Sequence, residues 1–194
     1  MCNEYRNRKS VRRLIDQCNA LNMPLRYPGG IPNTEPSDSI RITDRAPILR
    51  NGQDGVWLEM VRWSWPGAKG APVFNFRSEK RHFDKAQRCL IPADGFYEFT
   101  PAKDAKAKRK EKWLFTSTHS ELFAIAGMWR ANAANGEDAW TMLTCDPGPD
   151  IAPYHDRQVV VLEPERWTAW LSGADEKELL LPSDAGSIAV EHVA

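Results

Sequence analysis

In the stretch Arg88-Cys89-Leu90-Ile91-Pro92-Ala93-Asp94-Gly95-Phe96-Tyr97-Glu98-Phe99, two short apolar runs flank a group of turn-forming residues. The runs are Arg88–Ile91 and Phe96–Phe99. Apolar runs of this length that are bounded by proline, aspartate and glycine are typical of β-strands. We therefore predict two consecutive strands here, with Glu98 in the second.

Similar runs recur along the chain, and many of them alternate apolar and polar residues. The other predicted strands are Ile40–Thr43, Val56–Trp63, Trp113–Thr116, Leu122–Trp129, Ala139–Thr144 and Val159–Leu162. Residues 31–38, rich in proline, asparagine and serine, are predicted to form a loop. Alternation with turn residues in between favours a mostly antiparallel sheet system.

Three helices are predicted around these strands. The first begins at the capping residue Ser10, with Val11, Leu14, Ile15, Cys18 and Leu21 at helical spacing. The second opens at Pro164, with Trp167, Trp170 and Leu171 on one face. The third covers Asp175–Leu181. These patterns predict an α+β fold, rich in β-structure, with a few peripheral helices.

The composition is that of an ordinary globular protein and excludes several classes. The 194 residues predict a single domain spanning 1–194, and the 42% apolar content is enough for a core without metals or disulfides. The first residues are polar, unlike a signal peptide, and no apolar run is long enough to cross a bilayer, so we expect a cytoplasmic protein without membrane contact. A monomer is the default expectation. Lys+Arg and Asp+Glu number 26 each, which argues against a nonspecific DNA coater but allows a local basic groove.

Cysteine and histidine spacing indicates neither disulfides nor zinc. The four cysteines, Cys2, Cys18, Cys89 and Cys145, are far apart and the four histidines are also scattered. We expect free thiols and no metal or other cofactor. The basic segment 103–112 (KDAKAKRKEK) is interpreted as a solvated hairpin loop, with a finger that touches the DNA backbone as the alternative.

The dipeptide Met1-Cys2 allows unusual chemistry. Methionine before a small residue is readily removed, which would leave an α-amine and a thiol on Cys2. An α-amine has a pKa of about 7.7–8.0, against about 10.4 for lysine, so more of it is neutral and able to condense with an aldehyde. The neighbouring thiol could then close a thiazolidine ring, a step that proximity accelerates.

Five collinear segments resemble the SOS response-associated peptidase (SRAP) family. The stretch 88–99 resembles that family's RCLIPADGFYEW motif, and Asn75, Arg77 and Glu79 match N-x-R-x-E. Residues 60–63 (MVRW), 123–129 (FAIAGMW) and 154–157 (YHDR) resemble its MRWG, FAGLW and HDRMP segments. The resemblance implies a barrel-like core and covalent capture of abasic sites in single-stranded DNA.

The resemblance also implies roles for individual residues. Cys2 would be the nucleophile, Asn75 would orient its amine and the sugar, Glu98 would shuttle protons, and His155 would hold a hydroxyl or act as acid or base. Without the motif, Glu98 would be an exposed strand-end carboxylate, His155 a satisfied loop histidine and Asn75 a turn residue. Half-burial beside aromatic residues should raise the pKa of Glu98 toward neutrality.

DNA contacts are expected from phosphate-binding arginines and from aromatic surfaces. The predicted phosphate contacts are Arg77, Arg157 and Arg62, and the predicted stacking or wedging residues are Trp63, Trp65 and Phe99. Trp65, between Ser64 and Pro66, is expected to be exposed.

The sequence departs from the family pattern near its proposed nucleophile. The family's CGR is here Cys2-Asn3-Glu4, and a carboxylate at Glu4 is expected to raise the thiol pKa and oppose a phosphate. HDRMP becomes HDRQV at 155–159, and Phe99 stands where tryptophan is usual.

Three other functions compete with abasic-site capture. One is a thiol peptidase in which Cys2 attacks an amide with His155 as base, with Met1 as a possible substrate. Another is an N-terminal-nucleophile amidotransferase, although the further glutamine-site motifs of that family are absent from this sequence. The last is noncovalent single-stranded DNA binding.

Overall fold

The computed structural model describes residues 1–102 and 109–193. Its strands are β1 Glu4–Asn7, β2 Leu25–Arg26, β3 Ser37–Arg41, β4 Arg45–Gly52, β5 Gly55–Trp63, β6 Trp65–Pro66, β7 Pro72–Val73, β8 Asn75–Arg77, β9 Arg88–Ala93, β10 Gly95–Thr100, β11 Glu111–Ser117, β12 Phe123–Ala134, β13 Glu137–Cys145, β14 Gln158–Val159, β15 Val161–Leu162 and β16 Ile188–His192. The helices are α1 Val11–Ala20, α2 Trp167–Ser172 and α3 Glu176–Leu179. Short 3-10 turns cover Lys85–Gln87 and Pro164–Arg166.

Five strands close into a barrel in the order β5, β4, β9, β12 and β13. Four of the neighbouring pairs are antiparallel, and β13 pairs with β5 in parallel through Trp140 and Trp63. A ring with an odd number of strands cannot alternate direction all the way round, so one parallel pair is unavoidable. The β-rich, mostly antiparallel, barrel-like prediction is confirmed.

A second antiparallel sheet, in the order β16, β11, β10, β1 and β3, packs over one face of the barrel strands. Phe96 of β10 and Phe115 of β11 stack with ring centroids 5.2 Å apart, and both are fully buried. They share a hydrophobic cluster with Ile91 and with Cys2. This sheet therefore brings β1, just after Cys2, beside β10, which carries Glu98.

The helices pack in a separate hydrophobic cluster that includes the alternate residues of the same barrel strands. Leu14 and Cys18 of α1 and Trp170 of α2 are buried there together with Leu90 of β9. Strand alternation explains the division, because successive side chains of β9 point to opposite faces. Alternate residues of the barrel strands thus belong to two clusters, one shared with the helices and one shared with the second sheet.

Capping residues in the local sequence determine where the helices begin and end. The Ser10 hydroxyl accepts a hydrogen bond from the backbone N–H of Arg13 at 3.2 Å, as the capping prediction requires. Asp175 caps α3 in the same way, accepting from Lys177 at 2.9 Å. The chain leaves α2 through Gly173, whose φ of 91° lies in the left-handed region that glycine adopts without strain.

Each of the predicted strands overlaps an observed one, but the loop prediction for residues 31–38 was wrong at its end, where β3 begins. The basic segment 103–112 lies outside the described residues from 103 to 108; its last two residues belong to β11. Within the described ranges, no helix has the length and apolar character that a bilayer crossing would require.

Candidate functional site

Four residues that are far apart in sequence come together at the N-terminus. Cys2 lies just before β1, Asn75 begins β8, and Glu98 lies in the middle of β10. His155 belongs to the loop between β13 and β14. Pairing of β1 with β10 and of β8 with β13 carries these groups to one place.

Asn75 holds the backbone of Cys2. Its Nδ2 donates a hydrogen bond to the carbonyl oxygen of Cys2 at 2.6 Å. Its Oδ1 is buried and has no hydrogen-bond partner among the described residues. Since an unpaired buried acceptor is costly, this oxygen is ready to accept a hydrogen bond from an added amine or sugar hydroxyl.

Glu98 is a buried carboxyl, only 2% exposed, that faces the N-terminus. Its Oε2 lies 3.3 Å from the Met1 ammonium and 3.8 Å from Nε2 of His155. Burial raises the pKa of Glu98 to about 7, although the nearby ammonium opposes this shift. The expectation of a near-neutral pKa for this residue is therefore consistent with its surroundings, and Glu98 is able both to give and to take a proton near neutrality.

His155 completes the surroundings of the N-terminal amine. Its Nε2 hydrogen-bonds with the Met1 ammonium, and its Nδ1 lies 2.8 Å from the Asp156 carboxylate. Nδ1 also accepts a hydrogen bond from the backbone N–H of Arg157 at 3.0 Å, so both ring nitrogens have partners. Burial, followed by the positive charge of the amine, lowers the pKa of His155 and favours the neutral ring.

The thiol of Cys2 is almost fully buried, at 1% exposure of the residue, and its Sγ donates to the carbonyl oxygen of Glu4 at 3.2 Å. Burial and, after it, the charge of Glu98 raise the pKa of this thiol. The expectation that the Glu4 carboxylate would raise it was wrong, because that carboxylate pairs with Lys112 at 2.7 Å instead. The Cys2 thiol therefore stays protonated at neutral pH.

Arg157 fixes the loop that carries His155. Its guanidinium forms two hydrogen bonds with the Glu79 carboxylate, a further one to Asp146 at 2.9 Å, and one to the carbonyl oxygen of Thr144 at 2.8 Å. Arg157 is buried, so the expectation that it binds phosphate was wrong for this conformation. The N-x-R-x-E and HDR segments are thus joined by an ion pair between the buried Arg157 and the more exposed Glu79.

Sequence reasoning missed further supports of the same loop. The Gln158 side chain accepts from the backbone N–H of Gly148 at 2.6 Å and donates to Ser183 at 2.9 Å. A Cβ on Gly148 would lie 2.0 Å from the carbonyl oxygen of Ser183, so the loop requires glycine there. Asp150 accepts from the backbone N–H of Ile188 at 3.0 Å. The sequence offered one signal for the role of Gln158 in this loop: HDRMP is HDRQV here, and Gln158 occupies one of the two changed positions.

Known proteins resemble this chain over its whole length. The model of the family described as SOS response associated peptidase (SRAP) matches residues 1–194. The chain belongs to the SRAP family. Among SRAP relatives, the abasic site processing protein YoqW of Bacillus subtilis (strain 168) is 31% identical over 183 aligned residues, covering 84% of this chain and 78% of the relative. YoaM of the same organism is 27% identical, covering 100% of this chain and 91% of the relative, and is also named an abasic site processing protein.

Solved structures show the same fold. A protein from Bordetella bronchiseptica aligns with a TM-score of 0.73 at 23% identity, over 100% of both chains. A phage-related protein from that organism aligns with a TM-score of 0.74 at 21% identity, over 99% of this chain and 94% of the other. The predicted SRAP-like architecture is confirmed.

The tryptophans expected at a DNA surface of this SRAP chain are buried. Trp63 is 0% exposed, stacks on Trp140 with centroids 5.2 Å apart, and donates to the carbonyl oxygen of Phe74 at 3.0 Å. Trp65 is 5% exposed, so the expectation of exposure was wrong. The short β6–β7 hairpin turns its ring into the core, and the guanidinium of Arg130 covers it at 4.8 Å.

The other expected DNA contacts are more accessible. Arg77 is exposed at the end of β8, two residues after Asn75. Arg62 is half-buried, with Nη1 3.4 Å from the carbonyl oxygen of Thr43. Phe99 is half-buried in β10, next to Glu98. Of the residues proposed to bind DNA, these three present side chains to the surface.

Proposed function

We propose that this SRAP protein processes abasic sites in DNA and that it captures them covalently through Cys2 once Met1 has been removed. The proposal is carried by one observation: a buried carboxyl and an imidazole both contact the Met1 amine, directly before Cys2, and the Asn75 amide holds the backbone of Cys2 itself. It is supported by the relatives described above, which are named abasic site processing proteins. The substrate we infer is single-stranded DNA that contains an abasic deoxyribose in its open aldehyde form.

The amine acts first in the proposed reaction. The Cys2 thiol is buried and protonated, whereas an α-amine titrates near neutrality and reacts in its uncharged form. The nitrogen lone pair attacks the aldehyde carbon and gives a carbinolamine. Protonated Glu98 then donates a proton to the departing hydroxyl, which leaves as water, and an iminium remains.

The thiol acts second. Sulfur adds to the iminium carbon while the thiol proton passes to the Glu98 carboxylate, and the five-membered thiazolidine closes. The net change is loss of one water per crosslink, and Glu98 ends in its starting protonation state. Because Asn75 holds the Cys2 carbonyl at 2.6 Å, amine and sulfur keep a fixed geometry through both steps.

The test uses an oligonucleotide with one abasic site and a denaturing gel, after a mass spectrum has confirmed loss of Met1. Wild type should give a shifted band that survives heating. Cys2→Ser keeps an N-terminal amine but cannot form the sulfur ring, so its band should survive only when borohydride reduces the imine. Cys18→Ala, a buried cysteine of α1, serves as the matched control and should crosslink as wild type does.

Two outcomes would contradict the proposal. A heat-stable band of equal yield from Cys2→Ser without borohydride would mean that sulfur does not close the product. A chain extended before Met1, with its amine blocked, should not crosslink; if it did, a lysine would be the attacking group. Peptide cleavage without any shifted band would favour the thiol peptidase.

A further inference from the structure

Three side chains form a row across the second sheet that leads away from the N-terminal amine. Glu98 of β10 lies directly opposite Trp113 of β11, and Trp113 lies directly opposite His192 of β16. Residues that are directly opposite on antiparallel strands project from the same face of the sheet and are close enough to interact. The indole of Trp113 is therefore the cross-strand neighbour of the Glu98 side chain.

The orientation of the Trp113 ring is fixed by two contacts within this sheet. Its Nε1 donates a hydrogen bond to Oγ1 of Thr100, two residues after Glu98 in β10, at 2.8 Å. The imidazole of His192 lies against the indole, with ring centroids 4.7 Å apart and planes at 45°. The hydrogen bond of the indole N–H and the ring contact together make Trp113 a defined surface beside Glu98.

Tyr154, the residue directly before His155, packs on this surface. Its ring centroid lies 4.7 Å from that of Trp113, with planes at 57°. It also makes an edge-to-face contact with Phe115 of β11, with centroids 5.5 Å apart and planes at 84°. Aromatic pairs prefer such separations and tilts to a face-to-face arrangement. The loop that carries His155 is therefore attached to the strand next to Glu98.

His155 is held from both sides within its loop. Two residues after it, the buried Arg157 forms the ion pairs that fix the end of the loop. Before it, the backbone N–H groups of Tyr154 and His155 both donate to the carbonyl oxygen of Ile151, at 2.8 and 3.0 Å. This turn shapes the loop locally, and the Tyr154 ring joins it to β11.

We propose that Trp113 and Tyr154, which we call the aromatic clamp, position the His155 imidazole against the Glu98 carboxyl. Nε2 of His155 lies 3.8 Å from Oε2 of Glu98, although one residue belongs to a loop and the other to a strand. The aromatic clamp joins the immediate neighbours of both, because Tyr154 adjoins His155 in sequence and Trp113 adjoins Glu98 across the sheet. Trp113 and Tyr154 act through these two groups and are positioning residues. Their effect on the reaction rests on the proposed function, whereas the position of the imidazole does not.

The first test separates positioning from DNA binding. Crosslinking rates at increasing concentrations of the strand with an abasic site give the rate at saturation and the half-saturating concentration. Tyr154→Ala should lower the rate at saturation about tenfold, because a small misplacement of a catalytic group slows a reaction, and should leave the half-saturating concentration unchanged. Tyr154→Phe keeps the ring and should react at the wild-type rate.

Trp57→Ala is the matched control for the loss of a half-buried aromatic ring. Trp57 lies in β5 where this strand pairs with β2, and its Nε1 donates to the Asp54 carboxylate at 2.6 Å. Its removal should change neither the rate at saturation nor the half-saturating concentration. Circular dichroism shows whether each variant is folded. If Tyr154→Ala is not, Tyr154→Leu replaces it, since leucine keeps apolar volume but has no aromatic ring.

The second test needs no crosslink. Burial, followed by the charge of the N-terminal amine, holds the pKa of His155 below its ordinary value of 6.5. Loss of the Tyr154 ring should let the imidazole move into water, so in Tyr154→Ala this pKa should rise toward 6.5. Tyr154→Phe and Trp57→Ala should titrate as wild type does. NMR titration of the His155 ring protons, assigned by their absence from His155→Gln, is the measurement.

Trp113→Leu removes the other ring of the aromatic clamp and tests whether the two rings act together. It should raise the pKa of His155 as Tyr154→Ala does. Because both substitutions break the same contact, the double variant should show no larger rise than either single variant. Additive rises would mean that the two rings act on His155 separately, which would contradict the aromatic clamp.

The position of the imidazole and the crosslink can fail separately. An unchanged pKa of His155 in Tyr154→Ala would overturn the aromatic clamp. A higher half-saturating concentration with an unchanged rate at saturation would also overturn it, because Tyr154 would then be a DNA contact. A raised pKa with an unchanged rate at saturation would overturn the claim that the position of His155 matters for the reaction. A raised pKa in Tyr154→Ala, together with no crosslink from wild type, would support the aromatic clamp and contradict covalent capture.

Discussion

Two buried charged residues on strands that are consecutive in sequence, in different sheets, have opposite surroundings. Arg88 begins β9 and is 1% exposed; Glu98 lies in β10 and is 2% exposed. The Arg88 guanidinium donates to the carbonyl oxygens of Phe83 at 3.0 Å, Trp170 at 3.2 Å and Ala174 at 2.8 Å, and it pairs with Glu176. Glu98 leaves Oε1 without a partner among the described residues.

The difference separates a structural cluster from a reactive one. Burial would raise the pKa of Glu176, but a hydrogen bond from the Phe83 N–H and the charge of Arg88 hold it below its ordinary value. The pKa of Glu98 instead rises to about 7, because the Met1 ammonium offsets the effect of burial only in part. Equal burial thus gives a fixed ion pair where all donors are satisfied, and a proton-transfer group where they are not.

The largest effect should come from breaking the satisfied cluster. Arg88→Met leaves Glu176 without its guanidinium and three carbonyl oxygens without donors, so the free energy of unfolding should fall by about 3–5 kcal/mol. Urea denaturation measures this. At a temperature where the variant is folded, its crosslinking rate per folded molecule should match wild type. A loss below about 1 kcal/mol would mean that the cluster does not stabilise the fold.

In contrast to Arg88→Met, Glu98→Gln should slow the crosslinking reaction itself, by about 100-fold or more, because the amide cannot transfer the protons of imine formation. Single-turnover rates between pH 5 and 9 are the measurement. The wild-type profile should bend near pH 7, where Glu98 titrates, and the bend should be absent from the variant. A parallel, unbent profile for both proteins would assign the proton transfers to another group.

The same substitution should change how stability depends on pH. The native-state pKa of Glu98 is raised from 4.5 to about 7, so the folded chain keeps a proton that the unfolded chain releases. This contribution is fully present below about pH 4.5 and is lost as the pH rises through about 7. Relative to Glu98→Gln, wild type should therefore lose on the order of 3 kcal/mol across that window. Unfolding curves at several pH values give the free energy of unfolding of both proteins. If Glu98 did not cause the pH dependence, this free energy would change equally with pH in both.

Much of the fold could be predicted because the barrel strands have apolar runs of strand length. The missed strands have polar or interrupted sequences. β1, Glu4–Asn7, contains charged residues that are buried only because β3 and β10 flank it and Lys112 neutralises Glu4. β4, Arg45–Gly52, contains Pro47, a residue that argues against a central strand.

The four residues that the structure brings together at the N-terminus could be selected from local motifs, but the exposure of the expected DNA contacts could not be predicted. The sequence does not distinguish an arginine that binds phosphate from one that pairs with a carboxylate of its own chain, and only the tertiary pairing of Arg157 with Glu79 separates the two. The burial of Trp65 likewise depends on how β6 pairs with β7 and where Arg130 lies. The residue types at the candidate site follow from the sequence, whereas the exposure of the arginine and tryptophan side chains depends on the fold.

Asn75→Ala should have an intermediate effect, a decrease of about tenfold in the rate of crosslinking. The hydrogen bond at 2.6 Å to the Cys2 carbonyl is lost, and with it the fixed position of the amine, at a cost of about 1–1.5 kcal/mol. Asn75→Asp is the informative comparison, because it keeps the shape but replaces the donor by an acceptor. If both variants reacted at the wild-type rate, Asn75 would not position Cys2.

The smallest effect is expected at the surface, from Arg77→Ala. This exposed side chain ends β8, and removing one phosphate contact should lower affinity for single strands a few-fold and make the salt dependence shallower by about 0.7. Fluorescence anisotropy measures both quantities on a single strand that carries tetrahydrofuran in place of the abasic sugar and so has no aldehyde. Arg12→Ala, at a side chain that is 82% exposed on α1, controls for the loss of charge. The crosslinking rate at saturating DNA should be unchanged, because Arg77 contacts neither the amine nor the carboxyl of Glu98. A full loss of the crosslink at saturation would instead place Arg77 in the reactive cluster, and unchanged affinity and slope would remove it from the DNA surface.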